Sequence, residues 1–162
     1  MVARLILLLT AFSWCAFSIA LSDDREAPIK IISDRAEQNE QKGTATYEGS
    51  VVVQQGSMKI NADKVTVTTD TKEGDKIVAI GSPALYQQIQ NTGGGLVLAS
   101  ANIINYSVKD NRVGLTKDAS LEKNGTTITG DKIDYDRKAA TVKASSEKNK
   151  KSRIEMIIPS TK

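Results

Sequence analysis

The chain has 162 residues, with 22 Lys and Arg against 19 Asp and Glu, one cysteine and no histidine, for a formal net charge of +3. The missing histidine removes the commonest general base and the commonest zinc ligand. Near-neutral charge and 4% aromatic content argue against the dense basic face or the stacking platforms of a nucleic-acid binder.

The first residues read as an export signal. Arg4 supplies a positive start, Leu5 to Ala20 is an apolar run without charge, and Asp23-Asp24-Arg25-Glu26 follows. Ser18-Ile19-Ala20 and Ala20-Leu21-Ser22 both place small residues where a signal peptidase reads. The run of about 16 residues is short for a bilayer span of ~20. The reading is a signal peptide over residues 1–22 and one domain over 23–162, the alternative being an uncleaved membrane anchor. Cys15 lies inside this leader, and the adjacent Trp14 argues against lipidation, so the exported chain has no thiol chemistry and no disulfide. About 140 residues remain, enough for one domain with a real core.

Beyond the leader, period-2 alternation dominates. A first strand is expected at Ile29–Ile32, and a short helical turn is the one candidate helix, around Asp34 to Gln38. Ala45, Tyr47, Val51 and Val53 share one parity; Met58, Ile60 and Ala62 follow, then Val65 and Val67. Later sets are Ile104, Tyr106 and Val108; Val113 and Leu115; Ala119 and Leu121; Ile133 and Tyr135. Each set puts apolar side chains on one sheet face. Gly43, Gly49, Gln55-Gly56, Glu73-Gly74, Gly81-Ser82-Pro83, Gly93-Gly94-Gly95, Lys109-Asp110-Asn111 and Asn124-Gly125 read as turns between short strands. Ser145 to Ser152 reads as a polar loop, and Ile154 to Ile158 as the last strand. This pattern implies an all-β sandwich, barrel or solenoid.

An internal repeat strengthens it. Tyr47 to Val65 lies over Leu115 to Ile133 without a gap, so that Ile60-Asn61-Ala62-Asp63-Lys64-Val65 falls on Ile128-Thr129-Gly130-Asp131-Lys132-Ile133. Repeated units of this kind bury their apolar faces by stacking. The Asp63-Lys64 and Asp131-Lys132 pairs, repeated at one place in the unit, are expected to form a structural turn or an exposed ion pair worth little. A glycan-active enzyme would need two placed carboxylates, for which Asp63 and Asp131 are the obvious candidates. Gly93-Gly94-Gly95 lacks the Lys-Ser/Thr of a phosphate loop.

Pro28-Ile29-Lys30-Ile31-Ile32-Ser33-Asp34, Tyr47-Glu48-Gly49-Ser50-Val51-Val52-Val53-Gln54-Gln55-Gly56 and Met58-Lys59-Ile60-Asn61-Ala62-Asp63-Lys64-Val65 resemble the LptA group of OstA-like lipopolysaccharide-transport periplasmic proteins. Gly81 to Gln88, Gly130-Asp131-Lys132-Ile133 and Ile157-Ile158-Pro159-Ser160 continue the likeness in order. The resemblance implies a twisted antiparallel β-jellyroll (OstA-like), open at both ends and built from repeated strand units, with an apolar groove inside. It implies a periplasmic carrier of lipopolysaccharide (lipid A) and not an enzyme, without a cofactor or a metal. It would bridge an LptC-like inner-membrane protein and an LptD-like outer-membrane protein, by head-to-tail homo-oligomers that join first and last strands. By matching positions, Ile29, Ile31, Leu85, Tyr106 and Val108 would face the lipid. Departures are Leu85, where a larger aromatic is expected, the Gly93-Gly94-Gly95 loop, and the basic stretch Lys148 to Arg153, whose Lys148, Lys150, Lys151 and Arg153 could meet lipid phosphates but read better as a solvated loop. Two alternatives stay open: an LptC-like membrane-anchored relative, and an adhesin-like exported β-protein without lipid cargo.

Overall fold

Alternating Val, Thr, Ile and Tyr side chains form ten strands in the computed structural model, which describes residues 27–70, 72, 74–90, 95–146 and 153–160. They are β1 Lys30–Ile32, β2 Arg35–Asn39, β3 Thr44–Gln55, β4 Met58–Thr68, β5 Lys76–Gln90, β6 Gly95–Ser107, β7 Arg112–Lys123, β8 Thr126–Asp136, β9 Thr141–Ser145 and β10 Glu155–Ile157. The expected leader, Gly93-Gly94 and Lys148, Lys150 and Lys151 lie outside the described residues. Successive long strands pair antiparallel with their neighbours in chain order, giving one sheet, β1-β3-β4-β5-β6-β7-β8-β10. β2 also pairs with β3, and β9 with β8.

The six long strands share one irregularity at the same height. Register shifts fall between Glu48 and Val51, Asn61 and Lys64, Ile80 and Ala84, Ser100 and Ile103, and Thr116 and Ala119. A bulge bends a strand and re-aims its side chains. A row of them across the sheet folds it into two layers. The first layer holds the Val51–Gln55 half of β3 and its neighbours, edged by β1 and β10. The second holds the Thr44–Glu48 half and its neighbours, edged by β2 and β9. Small residues line the fold: Ala62, Gly81, Ala101 and Ala119 are all buried there. A Cβ on Gly81 would sit 2.7 Å from the Ala84 nitrogen, so no larger residue fits that corner.

The internal repeat is a structural repeat. Gly49 and Ser50 have φ of 83° and 44°, and their counterparts Lys117 and Asp118 have 65° and 53°. The hairpin residue Gly56 (57°) likewise matches Asn124 (52°). Three expectations change. Gly49 and Gly81-Ser82-Pro83 are not turns between strands but bulges inside continuous ones, so β3 and β5 run to 12 and 15 residues. Asp34 to Gln38 is not helical: Arg35–Asn39 is extended, because it pairs residue by residue with Thr44–Glu48. The lysine of each Asp-Lys pair meets a different carboxylate: Lys64 meets Glu48 at 3.0 Å and Lys132 meets Asp134 at 3.2 Å. The Lys64 hydrogen bond, with Arg35 beside it, holds the Glu48 carboxyl below its usual range.

The core lies between the layers. Val51, Val53, Met58, Ile60, Ala84 and Leu121 come from the first; Val65, Ile77, Ile104, Val113, Leu115 and Ile133 come from the second, and all are buried. Fully burying each large one stabilises the fold by about 1.5–3 kcal/mol relative to exposure.

Candidate functional site

The interior is an apolar slab with one folded side and one non-covalent seam. The fold line closes the back. At the front the strand tips of the two layers meet. Gln90, the last residue of β5, belongs to the first layer, and its side-chain amide donates to the hydroxyl of Tyr135 in the second. The Lys123 ammonium, at the tip of β7, lies 5.7 Å from the centroid of the same Tyr135 ring. Burial pushes the Tyr135 hydroxyl pKa up, while the charge of Arg137 and the Gln90 bond act against that shift.

Polar side chains sit among the apolar ones near these tips. Gln55 and Gln88 are each 3% exposed. Gln55 donates its amide to the carbonyl of Ala27 at 3.2 Å, and the Tyr86 hydroxyl donates to Gln88 Oε1 at 2.5 Å. At the second-layer tips, Arg137 donates from its guanidinium to the Tyr106 hydroxyl at 3.1 Å and lies 5.9 Å from the ring centroid. Its backbone N–H donates to the carbonyl of Asn111.

Four of the five expected lipid-facing residues are placed at this interior. Tyr106 is buried in it; Ile29, Ile31 and Val108 are half-buried and packed against it. Ile29 and Ile31 belong to the first-layer edge, and Tyr106 and Val108 to the second-layer tips, so the two pairs stand apart. Leu85 is different. Before the shift in β5 the odd positions Ile77, Ala79 and Gly81 point inward; after it the even positions Ala84, Tyr86 and Gln88 do. Leu85 therefore faces outward and is 47% exposed. With Leu98, Lys59 and Glu122 it lines a shallow outer depression of about 350 Å³.

Reading by pattern missed Gln55, Gln88, Lys123, Tyr135 as a joint, and Arg137. Gln55 shares parity with Val51 and Val53, and Gln88 with Ala84 and Tyr86, so interior parity was a usable signal for both. Lys123 and Arg137 sit at strand ends, where a cation reads as ordinary surface. Among the described residues, no group of three His, Cys, Asp or Glu side chains could hold a metal ion.

A family model described as "LptA/(LptD N-terminal domain) LPS transport protein" matches residues 30–141. The chain is 37% identical, over 93% of its length and 89% of the relative's, to the lipopolysaccharide export system protein LptH of Pseudomonas aeruginosa. It is 38% identical to LptA of Escherichia coli K12, covering 89% of this chain and 80% of that one. LptA of Haemophilus influenzae is 33% identical, covering 97% and 92%. Among solved structures, the crystal structure of LptH, described as the LptA homologous periplasmic component of the lipopolysaccharide transport device of Pseudomonas aeruginosa, matches with a TM-score of 0.79. That match has 35% identity and covers 85% of this chain and 99% of the other.

Proposed function

The chain belongs to the LptA/(LptD N-terminal domain) family of lipopolysaccharide transport proteins, and from that premise we propose that it carries lipopolysaccharide across the periplasm with the acyl chains between its two layers. One observation supports this most: a continuous apolar interior whose front, among the described residues, is bridged by side-chain contacts. Exposing acyl chains to water costs ~0.8 kcal/mol for each CH₂ group. Val, Ile, Leu, Met and Ala shield them without specific polar contacts, which suits a cargo that must move on. In the structure the interior is filled by its own side chains, Val53, Ile60, Leu115 and Ile133 being 0% exposed. Acyl chains therefore enter by parting the strand tips, since the continuous backbone at the fold line cannot part.

Ile29, Ile31, Tyr106 and Val108 are the proposed lipid-facing residues. Ile31 lies on the edge strand β1 and Ile29 just before it, where cargo would arrive, and the Tyr106 hydroxyl lies at the tips, where a polar partner is available. The proposed partners are an LptC-like protein on the inner membrane and an LptD-like protein on the outer one. β1 and β10 are the terminal strands of the sheet path. An edge strand offers unpaired backbone groups to a strand of another molecule. Joined head to tail, such contacts do not close on themselves and give filaments.

Photocrosslinking in living cells tests the reading. A photoreactive residue at Tyr106 or Val108 is expected to capture lipopolysaccharide, and one at the outward-facing Leu85 is not. Capture at Leu85 with none at the interior positions would overturn an interior path.

A further inference from the structure

A half-buried cation ordinarily has a carboxylate beside it, because removing a charge from water without compensation is costly. Among the described residues even exposed cations of the outer face take carboxylate partners: Arg35 and Lys64 share Glu48, Arg112 meets Asp136, and Lys132 meets Asp134. Arg137 and Lys123 do not. Both are half-buried, and among the described residues neither has an ion-pair partner. Each lies instead against a buried tyrosine, Arg137 over Tyr106 and Lys123 over Tyr135. The ring faces attract the cations without neutralising them. Among the described residues the Arg137 side chain, which has five possible donors, makes one hydrogen bond, to the Tyr106 hydroxyl.

Their location is shared as well as their state. Lys123 reaches Tyr135 from the first layer, and Arg137 follows Tyr135 by two residues in the second. The two charges thus flank one tyrosine at the seam, where an amphiphile with its chains inside would hold its headgroup. A guanidinium fork matches the oxygens of a phosphate, and an ammonium adds a point charge.

We propose that Arg137 and Lys123 form a headgroup site at the seam, taking the phosphate of a phosphorylated lipid whose acyl chains occupy the interior. This rests on the acyl-chain reading above. The tyrosines pre-position the cations, and the missing carboxylate leaves them available to the ligand. Such a site would favour phosphorylated over dephosphorylated cargo while leaving the apolar contribution untouched.

The test is equilibrium binding of bisphosphorylated lipid A and of its fully dephosphorylated form to the purified protein and to the Arg137→Gln, Arg137→Lys and Lys123→Gln variants. The wild type is expected to prefer the bisphosphorylated form by about tenfold or more, as charge-assisted contacts imply. Arg137→Gln should reduce that preference to about threefold or less, with Arg137→Lys between, because it keeps charge but not the fork. Affinity for the dephosphorylated lipid should be the same in all four proteins, which also shows that the variants are folded. Equal affinity of the wild type for both lipids, or an undiminished preference in Arg137→Gln, would overturn the site. Displacement of lipid by inorganic phosphate at comparable concentration would make it a free-anion site and overturn the headgroup assignment. Failure of the dephosphorylated lipid to bind any of the proteins would instead sink the acyl-chain reading beneath it.

Discussion

The side-chain amide of Gln90 donates to the hydroxyl of Tyr135, and the bond joins residues 45 apart that belong to opposite layers of one folded sheet. Tyr135 is 1% exposed, so its ring is core while its hydroxyl is a joint. Tyr135→Phe keeps the ring and removes the joint. It is expected to lower stability by about 0.5–1.5 kcal/mol, the net worth of one hydrogen bond. Urea unfolding should show a lower midpoint with an unchanged slope. In a double-mutant cycle with Gln90→Ala the two losses should not add. Strict additivity would show that the contact does not hold the layers together.

The same hydroxyl predicts an alkaline response. Burial raises its pKa above the ordinary tyrosine value of about 10. Between the unfolded and folded values the folded chain binds more protons than the unfolded one, so stability falls with rising pH there. The contribution is fully present below about pH 10 and is lost as pH rises through the folded pKa. Urea midpoints of wild type and Tyr135→Phe, measured from pH 8 to 11, should converge at the alkaline end. Lysine titration is common to both and cancels. A difference that stays constant across that range would refute the assignment.

Parity across the bulges makes another prediction. Leu121→Ala removes a buried side chain from the first layer and should cost about 2–5 kcal/mol. Leu85→Ala removes an outward one and should change stability by less than about 0.5 kcal/mol. Thermal or urea unfolding of the two variants decides it: a core-sized loss at Leu85 would mean that β5 does not change parity after Ile80.

These contrasts mark what was legible in the sequence. Alternation identified the inward residues of each half-strand, as at Ala45 and Tyr47 or Met58 and Ile60, because side chains on a pleat must alternate. The Tyr47–Val65 repeat over Leu115–Ile133 paired positions that proved structurally equivalent, Gly49-Ser50 with Lys117-Asp118, although the residues at those left-handed sites differ. Continuity through the bulges was not legible. Gly49 and Gly81-Ser82-Pro83 carry turn chemistry, and only pairing to a neighbour decides whether the chain reverses or merely bends. Leu85 faces outward for that reason. Arg137 and Lys123 carry no pattern at all; their meaning comes from Tyr106 and Tyr135, which the folded sheet brings to them.

Gly49 shows how tightly one bulge is specified. Its φ is +83°, and a Cβ there would fall 2.2 Å from Asp34 Oδ2. Gly49→Ala should destabilise by at least the roughly 1–2 kcal/mol of a left-handed L-residue, and Asp34→Ala in the same chain should recover only the part due to the carboxylate, because the residue-34 Cβ stays 2.8 Å away. The repeat-related Lys117 already bears a side chain at φ 65°. Lys117→Gly should therefore be neutral or stabilising, by up to about 1 kcal/mol. Destabilisation at Lys117 comparable to that at Gly49 would show that the two bulges are not equivalent.

The edges of the sheet carry the last prediction. Met156 and Ile158 are 54% and 70% exposed on and just after β10, an unusual apolar display for a terminal strand. Natural edge strands are commonly guarded by lysine, which repels an incoming strand without disturbing the sheet. If β10 joins β1 of the next molecule, replacing Met156 and Ile158 with lysine should abolish growth of mass with concentration in light scattering. The unfolding midpoint should barely move, because both side chains already face water. Ile31 on β1 is half-buried against the core and cannot be changed so cleanly; Ile32, 54% exposed, is the matching site for Ile32→Lys. Loss of assembly from either edge alone, restored by neither variant when the two are mixed at equal concentration, would argue for side-by-side contact of like edges. Mixed variants of a head-to-tail joint each retain one intact end, β1 on the first and β10 on the second, and should recover dimers but not filaments.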